Sequence, residues 1–94
     1  MKLSFEWHEE KAKENFRKHK ITFEEAKTVF NDPFLMTFPD PEHSENEQRY
    51  LNIGSSSKRR VLVIIHTERE ANIRIISCRK ATTNERRAYE EGNS

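Results

Sequence analysis

The chain predicts one α+β domain over residues 1–94: a small, mainly antiparallel sheet of four to five strands, two N-terminal helices and a C-terminal helix, with the helices over one face. Three observations lead there. The first third holds two helix-period segments, the second opened by a capping box. The remainder holds strand-length apolar segments separated by short polar turns, and strands joined so closely must be antiparallel, because a parallel return needs a crossover. A second capping box then opens a closing helix.

Leu3-Ser4-Phe5-Glu6-Trp7 alternates apolar and polar residues, as a half-buried strand does. From His8 to His19 the period is helical, with Ala12, Asn15, Phe16 and His19 on one face and the charged residues outside. Thr22-Phe23-Glu24-Glu25 caps a second helix: the Thr22 hydroxyl accepts from the Glu25 amide and the Glu25 side chain reaches back. That helix presents Phe23, Ala26, Val29 and Phe30 to the core, and Asn31-Asp32-Pro33 ends it, since proline lacks a donor and restricts the residue before it. Phe34 to Phe38 reads as a strand, and residues 39–46 as an acidic, mobile loop containing His43. Gln48 to Ile53 alternates, and residues 54–58 form a turn at Gly54. Arg60 to His66 is the most apolar strand and therefore central. Residues 68–72 turn the chain, and Ile73 to Cys78 forms the last strand, with Ile73, Ile75 and Ser77 on one face. Thr82-Thr83-Asn84-Glu85 caps the last helix, which carries Arg86, Ala88 and Tyr89.

The mean hydropathy of −1.02 allows only a small core, although six phenylalanines and one tryptophan argue against disorder. The net charge of +1 conceals an asymmetry: residues 58–87 hold nine cationic side chains against three anionic ones, a local +6, which leaves −5 for the rest. Such a cluster favours a polyanionic partner over plain surface solvation. The single cysteine, Cys78, excludes an internal disulfide and reads as a small buried hydrophobe. Two glycines cannot build a phosphate-cradling loop, and one cysteine with four scattered histidines offers no zinc spacing, so no cofactor and no metal site is expected. The absence of a signal region or a run long enough to span a bilayer fits a cytoplasmic, non-membrane protein.

Candidate chemistry collects at the ends of elements. Arg79 and Lys80 close the last strand, where an arginine fork can hold a phosphate and stabilise charge developing on its oxygens. His66 ends the central strand with its ring expected near solvent, suited to proton transfer; the plain alternative is a hydrogen-bonded strand-end histidine with no chemical role. Glu47 and Arg49 lie two apart and face the same way, as an acid–base and phosphate pair or a surface ion pair. Tyr89 and Arg86 share a helix face, where Tyr89 can stack on a base, donate a proton, or pack on the sheet. Lys58 and Arg74 complete the basic set. Trp7, Lys18 and His19 form a separate group, although a lone tryptophan at such a junction is more often core.

An ordered series of residues resembles BrnT-type toxins across nearly the whole chain. It runs Phe5-Glu6-Trp7, Lys11, Asn15, Lys18-His19, Phe23 to Ala26, Asp32-Pro33, Pro39-Asp40, His43-Ser44, Glu47-x-Arg49 and Ile53-Gly54. It continues through His66 to Arg69, Arg74 to Ser77, Arg79-x-Ala81, Glu85-Arg86 and Tyr89. His8 departs from the pattern, which has an acidic residue there, and histidine caps a helix poorly. The resemblance implies a RelE-like fold and a type II toxin–antitoxin system. The toxin would cleave RNA without metal and arrest growth, and would be held in a hetero-oligomer by a BrnA-type antitoxin. The implied roles are Arg79 and Arg49 as phosphate stabilisers with Lys80 assisting, His66 or Glu47 as base, Tyr89 as stacker or acid, and Arg74, Arg86 and Lys58 as RNA contacts. RelE-like folds also include gyrase poisons, so a non-catalytic toxin and an inactive antitoxin-binding domain stand as alternatives.

Overall fold

A computed structural model describes residues 3–40, 42 and 46–92. His43 and Ser44, assigned above to the acidic loop, lie outside the described residues. The elements are β1 (Ser4–Glu6), α1 (Glu9–His19), α2 (Phe23–Thr28), a 3-10 turn (Val29–Asn31), β2 (Met36–Pro39), β3 (Arg49–Ser55), β4 (Val61–Arg69), β5 (Asn72–Lys80) and α3 (Thr83–Gly92). They form one five-stranded sheet in the order β1-β5-β4-β3-β2. Three pairings are antiparallel hairpin neighbours, and β1 joins β5 in parallel. Among the described residues no helix is long and apolar enough to cross a membrane.

Register divides the sheet into two faces. On the first, paired rows run Gly54–Leu62–Lys80, Asn52–Ile64–Cys78 and Tyr50–His66–Ile75. Ile21, Phe23, Ala26 and Val29 pack there against Leu62, Ile64, Ile73, Ile75 and Cys78 to make the core. Gly54 is not a turn residue. It lies inside β3, where an added Cβ would stand 2.7 Å from Val29 Cγ1, so the helical layer requires a glycine there. The hairpin turn comes later, with Ser56 N–H donating to Arg60 C=O and Arg59 N–H to Ser56 C=O.

The first capping box is half made. Glu25 N–H donates to Thr22 Oγ1 at 3.0 Å, but the Glu25 carboxylate turns inward. There it accepts from the Arg60 guanidinium and from Ser56 Oγ. The hydrogen bonds from Arg60 hold its pKa below the usual carboxylate range against the opposing effect of burial. Glu25 is buried but the Arg60 side chain is 31% exposed, so removing either partner should cost about 1–3 kcal/mol. Asn15 does similar work at the sheet edge. Beyond Arg74, β1 no longer pairs with β5, and Asn15 Oδ1 accepts the Cys78 N–H at 3.1 Å. Burial pushes the Cys78 thiol up to about 12, as expected of a small core residue.

Several expectations are corrected. Phe16 is 47% exposed rather than core, because Ala12 and Asn15 already fill the inward face of α1. The strand expected from Phe34 begins at Met36, since Asp32 Oδ1 accepts the Phe34 N–H in a turn. A bulge opposite Ile65/His66 shifts the register of β5 at Ile76, so Ser77 lies on the opposite face from Ile73 and Ile75. The helices do not share a face: α1 and α2 cover the first, whereas α3 meets the second at one end.

Candidate functional site

The second face of the sheet carries the clustered candidates. Its rows run Met36–Ile53–Val63–Arg79, Phe38–Leu51–Ile65–Ser77 and Arg49–Thr67–Arg74–Glu6. The helix α3 meets the first row: Glu85 holds Arg79, and Gly92 lies beside Met36. Ile53 and Val63 are buried beneath that end. The middle row stays open, with Leu51 and Ile65 partly exposed and Phe38 44% exposed. The result is an apolar strip with one arginine at one end and two at the other.

Each arginine carries its own carboxylate. Arg79 makes a two-pronged pair with Glu85, Nη1 to Oε1 at 2.7 Å and Nη2 to Oε2 at 2.9 Å. The same carboxylate accepts the Thr82 N–H at 2.8 Å, while Glu85 N–H donates to Thr82 Oγ1, so the second capping box is complete and also orients the arginine. Hydrogen bonding from Arg79, opposed by burial and supported by Thr82, holds the Glu85 carboxyl down at about 2. Arg74 Nη1 meets Glu6 Oε2 at 3.0 Å. Arg49 Nη2 lies 3.9 Å from Glu47 Oε1, so that expected pair is present, with Glu47 just ahead of β3. Such partners fix the direction in which a guanidinium presents its fork.

His66 stands apart. Its ring is 4% exposed and not at a solvent edge, because it points to the first face. It stacks on Tyr50 at 5.1 Å and meets Phe30 edge-on at 5.3 Å. Its Nδ1 lies 2.7 Å from Asn52 Nδ2, which can only donate, so Nδ1 is the acceptor and the proton of the neutral ring sits on Nε2, 3.7 Å from Glu68. Burial lowers its pKa below 6.5, partly offset by Glu68. The structure does not bring His66 together with Arg79.

Tyr89 does not project into the open face as a stacker. Its hydroxyl donates to Asp32, which also accepts the Ser55 and Phe34 N–H groups. Burial and the Asp32 carboxylate push the phenol up to about 12. Burial raises the Asp32 pKa, but the three donors outweigh it and leave it lowered. This clamp ties α3 to β3 and to the turn before β2. Lys58, Lys80 and Arg86 are exposed on the β3–β4 turn, the end of β5 and α3, all at the Arg79 end of the sheet. Residue-by-residue reading missed Phe38 as an open aromatic and Asp32 as the centre of a clamp. The only available signal was the Asp-Pro turn, which marks a bend and not its partners.

The chain matches a family model described as the ribonuclease toxin, BrnT, of type II toxin–antitoxin systems, over residues 7–85. Among solved structures it is similar to the Brucella abortus ribonuclease toxin BrnT, with a TM-score of 0.68 and 20% identity over 87% of this chain and 100% of that one. That likeness supports the α+β fold. None of the curated proteins matches.

Proposed function

The chain belongs to the BrnT family of ribonuclease toxins of type II toxin–antitoxin systems, and we propose that it cleaves single-stranded RNA laid across the open second face of its sheet. Membership implies an RNA substrate and an antitoxin partner. The observation that best supports the reading is the face itself: Arg49 and Arg74 at one end, Arg79 at the other, and Leu51, Ile65 and exposed Phe38 between. Apolar and aromatic surface takes bases, and cations take the backbone.

The row of Arg79 and that of Arg49 and Arg74 lie four residue steps apart along β4, from Val63 to Thr67, about 13 Å. The two ends therefore grip different phosphates of one strand. The reaction needs no external nucleophile. The 2′-oxygen forms a bond to phosphorus as its proton passes to a base, and the bond to the 5′-oxygen breaks as that oxygen takes a proton from solvent water, leaving a cyclic phosphate and a 5′-hydroxyl. Arg49, beside the base, stabilises the added negative charge, and Arg79 holds the neighbouring phosphate and so aligns the strand for attack. Glu47, exposed beside Arg49, is the base; His66 holds the core beneath it instead, since its Nδ1 is occupied by Asn52. Tyr89 positions α3 through Asp32. Lys58 and Arg86 steer the strand at the Arg79 end, whereas Lys80, in the first-face row with Leu62 and Gly54, lies on the opposite face from Arg79 and does not share its phosphate. A BrnA-type antitoxin, in a cytoplasmic hetero-oligomer, silences the toxin by covering this face.

The test is incubation with naked RNA in EDTA, with fragment ends mapped. Wild type is expected to leave cyclic-phosphate and 5′-hydroxyl ends, and Arg79→Ala, by loosening the strand, to lose about 10²-fold in rate with the fold intact. Undiminished cleavage by Arg79→Ala would remove it from the site, and intact RNA with wild type would sink the ribonuclease reading.

A further inference from the structure

A second basic concavity lies outside the face just described. A cleft of about 460 Å³ opens between α1 and β5, lined by Lys11, Glu14, Arg17, Lys18, His19 and Ser77 among others. Three permanent cations face one carboxylate, and that carboxylate, Glu14, is already engaged by Arg17 at 3.3 Å. Asn15 forms part of the wall but is spent on Cys78 and the Ile21 carbonyl. What the cleft offers is unneutralised positive charge.

Two features decide what it can hold. The first is continuity. Ser77 lines the cleft and also sits in the middle row of the open face, beside Ile65 and two residues from Arg79. A chain lying over Leu51 and Ile65 that continues past β5 descends directly into this cleft. The second is the β5 edge. β1 pairs only with residues 72–74, the bulge at Ile76 breaks the ladder beyond, and Asn15 takes the Cys78 N–H. A peptide cannot add there as a further strand, because the donors it needs are interrupted or used. A flexible polyanion needs only the charge.

We propose that the α1–β5 cleft is a phosphate subsite for single-stranded RNA, carrying the strand off the sheet face and around the β5 edge on Lys11, Lys18 and His19. The identity of the ligand rests on the ribonuclease reading; the subsite itself is a matter of binding.

The experiment therefore separates binding from cleavage. The probe is a 2′-O-methyl single strand of about ten nucleotides, which cannot supply the attacking hydroxyl, beside a trinucleotide of the same chemistry. The Lys11→Ala/Lys18→Ala double variant should bind the long strand about tenfold more weakly, with the slope of log K against log salt reduced by about 1.4 for two lost phosphate contacts. Its affinity for the trinucleotide should be unchanged. Lys13→Ala/Lys27→Ala removes the same charge outside the cleft and should leave long-strand binding near wild type. Equal weakening by both double variants, no weakening, or equal weakening for the trinucleotide overturns the subsite. So does preferential, lysine-dependent binding of a polyglutamate peptide, which would make the cleft a protein contact. Lysine-dependent RNA binding without cleavage of unmodified RNA upholds the subsite and sinks the nuclease reading alone.

Discussion

Replacing Glu85 with glutamine separates an ion pair from the helix cap that shares its carboxylate. Glu85 accepts from Thr82 N–H and from both Nη atoms of Arg79. Glutamine keeps the shape and one acceptor, so the cap survives while the charge and half the fork are lost. Chiefly through Arg79, the folded carboxyl is held at about 2 instead of its usual 4.5, a ceiling of about 3.4 kcal/mol. Arg79 is 40% exposed and Glu85 24%, so solvent screening reduces the expectation to about 1–1.5 kcal/mol. The folded pKa is the lower one, so the unfolded chain binds more protons between pH 4.5 and about 2. The contribution is full above that window and disappears as the pH falls through it. Urea midpoints for wild type and Glu85→Gln, at pH 7 and pH 3, read this directly. The stability gap should be about 1–1.5 kcal/mol at pH 7 and visibly smaller at pH 3. An identical gap at both would mean that packing or capping, not charge, is lost, and would refute the electrostatic account of how Arg79 is held.

Three further outcomes are expected. Tyr89→Phe removes a hydrogen bond to the charged Asp32 and should cost about 1.5–3 kcal/mol by urea denaturation, with the ultraviolet step of a phenol near pH 12 absent from the variant. The His66 ring, lowered by burial, should titrate below 6.5 by NMR; the unfolded ring binds the proton first, so the part of stability linked to His66 falls as pH drops below about 6.5, and His66→Ala should lose about 2–4 kcal/mol while keeping cleavage per folded molecule. Glu70 and Ala71 turn the β4–β5 hairpin with φ of 49° and 73°, a conformation that costs L-residues about 1 kcal/mol each, so Ala71→Gly should raise the thermal midpoint, and a fall would show that the turn carries no such strain.

Much of the fold was legible because its signals are local. Thr22 and Thr82 cap the helices they were expected to cap, and β4 is the apolar central strand. The misreadings involve partners far along the chain. Glu25 satisfies its box by propensity, yet a buried carboxylate gains more from Arg60, 35 residues away, than from its own helix end. The pairing of β1 with β5 joins three residues to a strand nearly seventy positions on, and nothing in Ser4–Glu6 announces it.

The candidate face was legible as a list but not as a place, and the reason is parity. Arg74 and Arg79 are an odd number apart, so a regular strand would point them to opposite faces. The extra residue at Ile76 restores them to one face and at the same time moves Ser77 out of the core row, leaving it shared between the open face and the α1–β5 cleft. No residue type in Arg74 to Arg79 signals that bulge; it follows from fitting β5 to β4 while keeping both Ile75 and Cys78 in the core. Core packing thus sets the register that gathers the arginines, and a change at Ile76 that removed the bulge would scatter them without touching one of them.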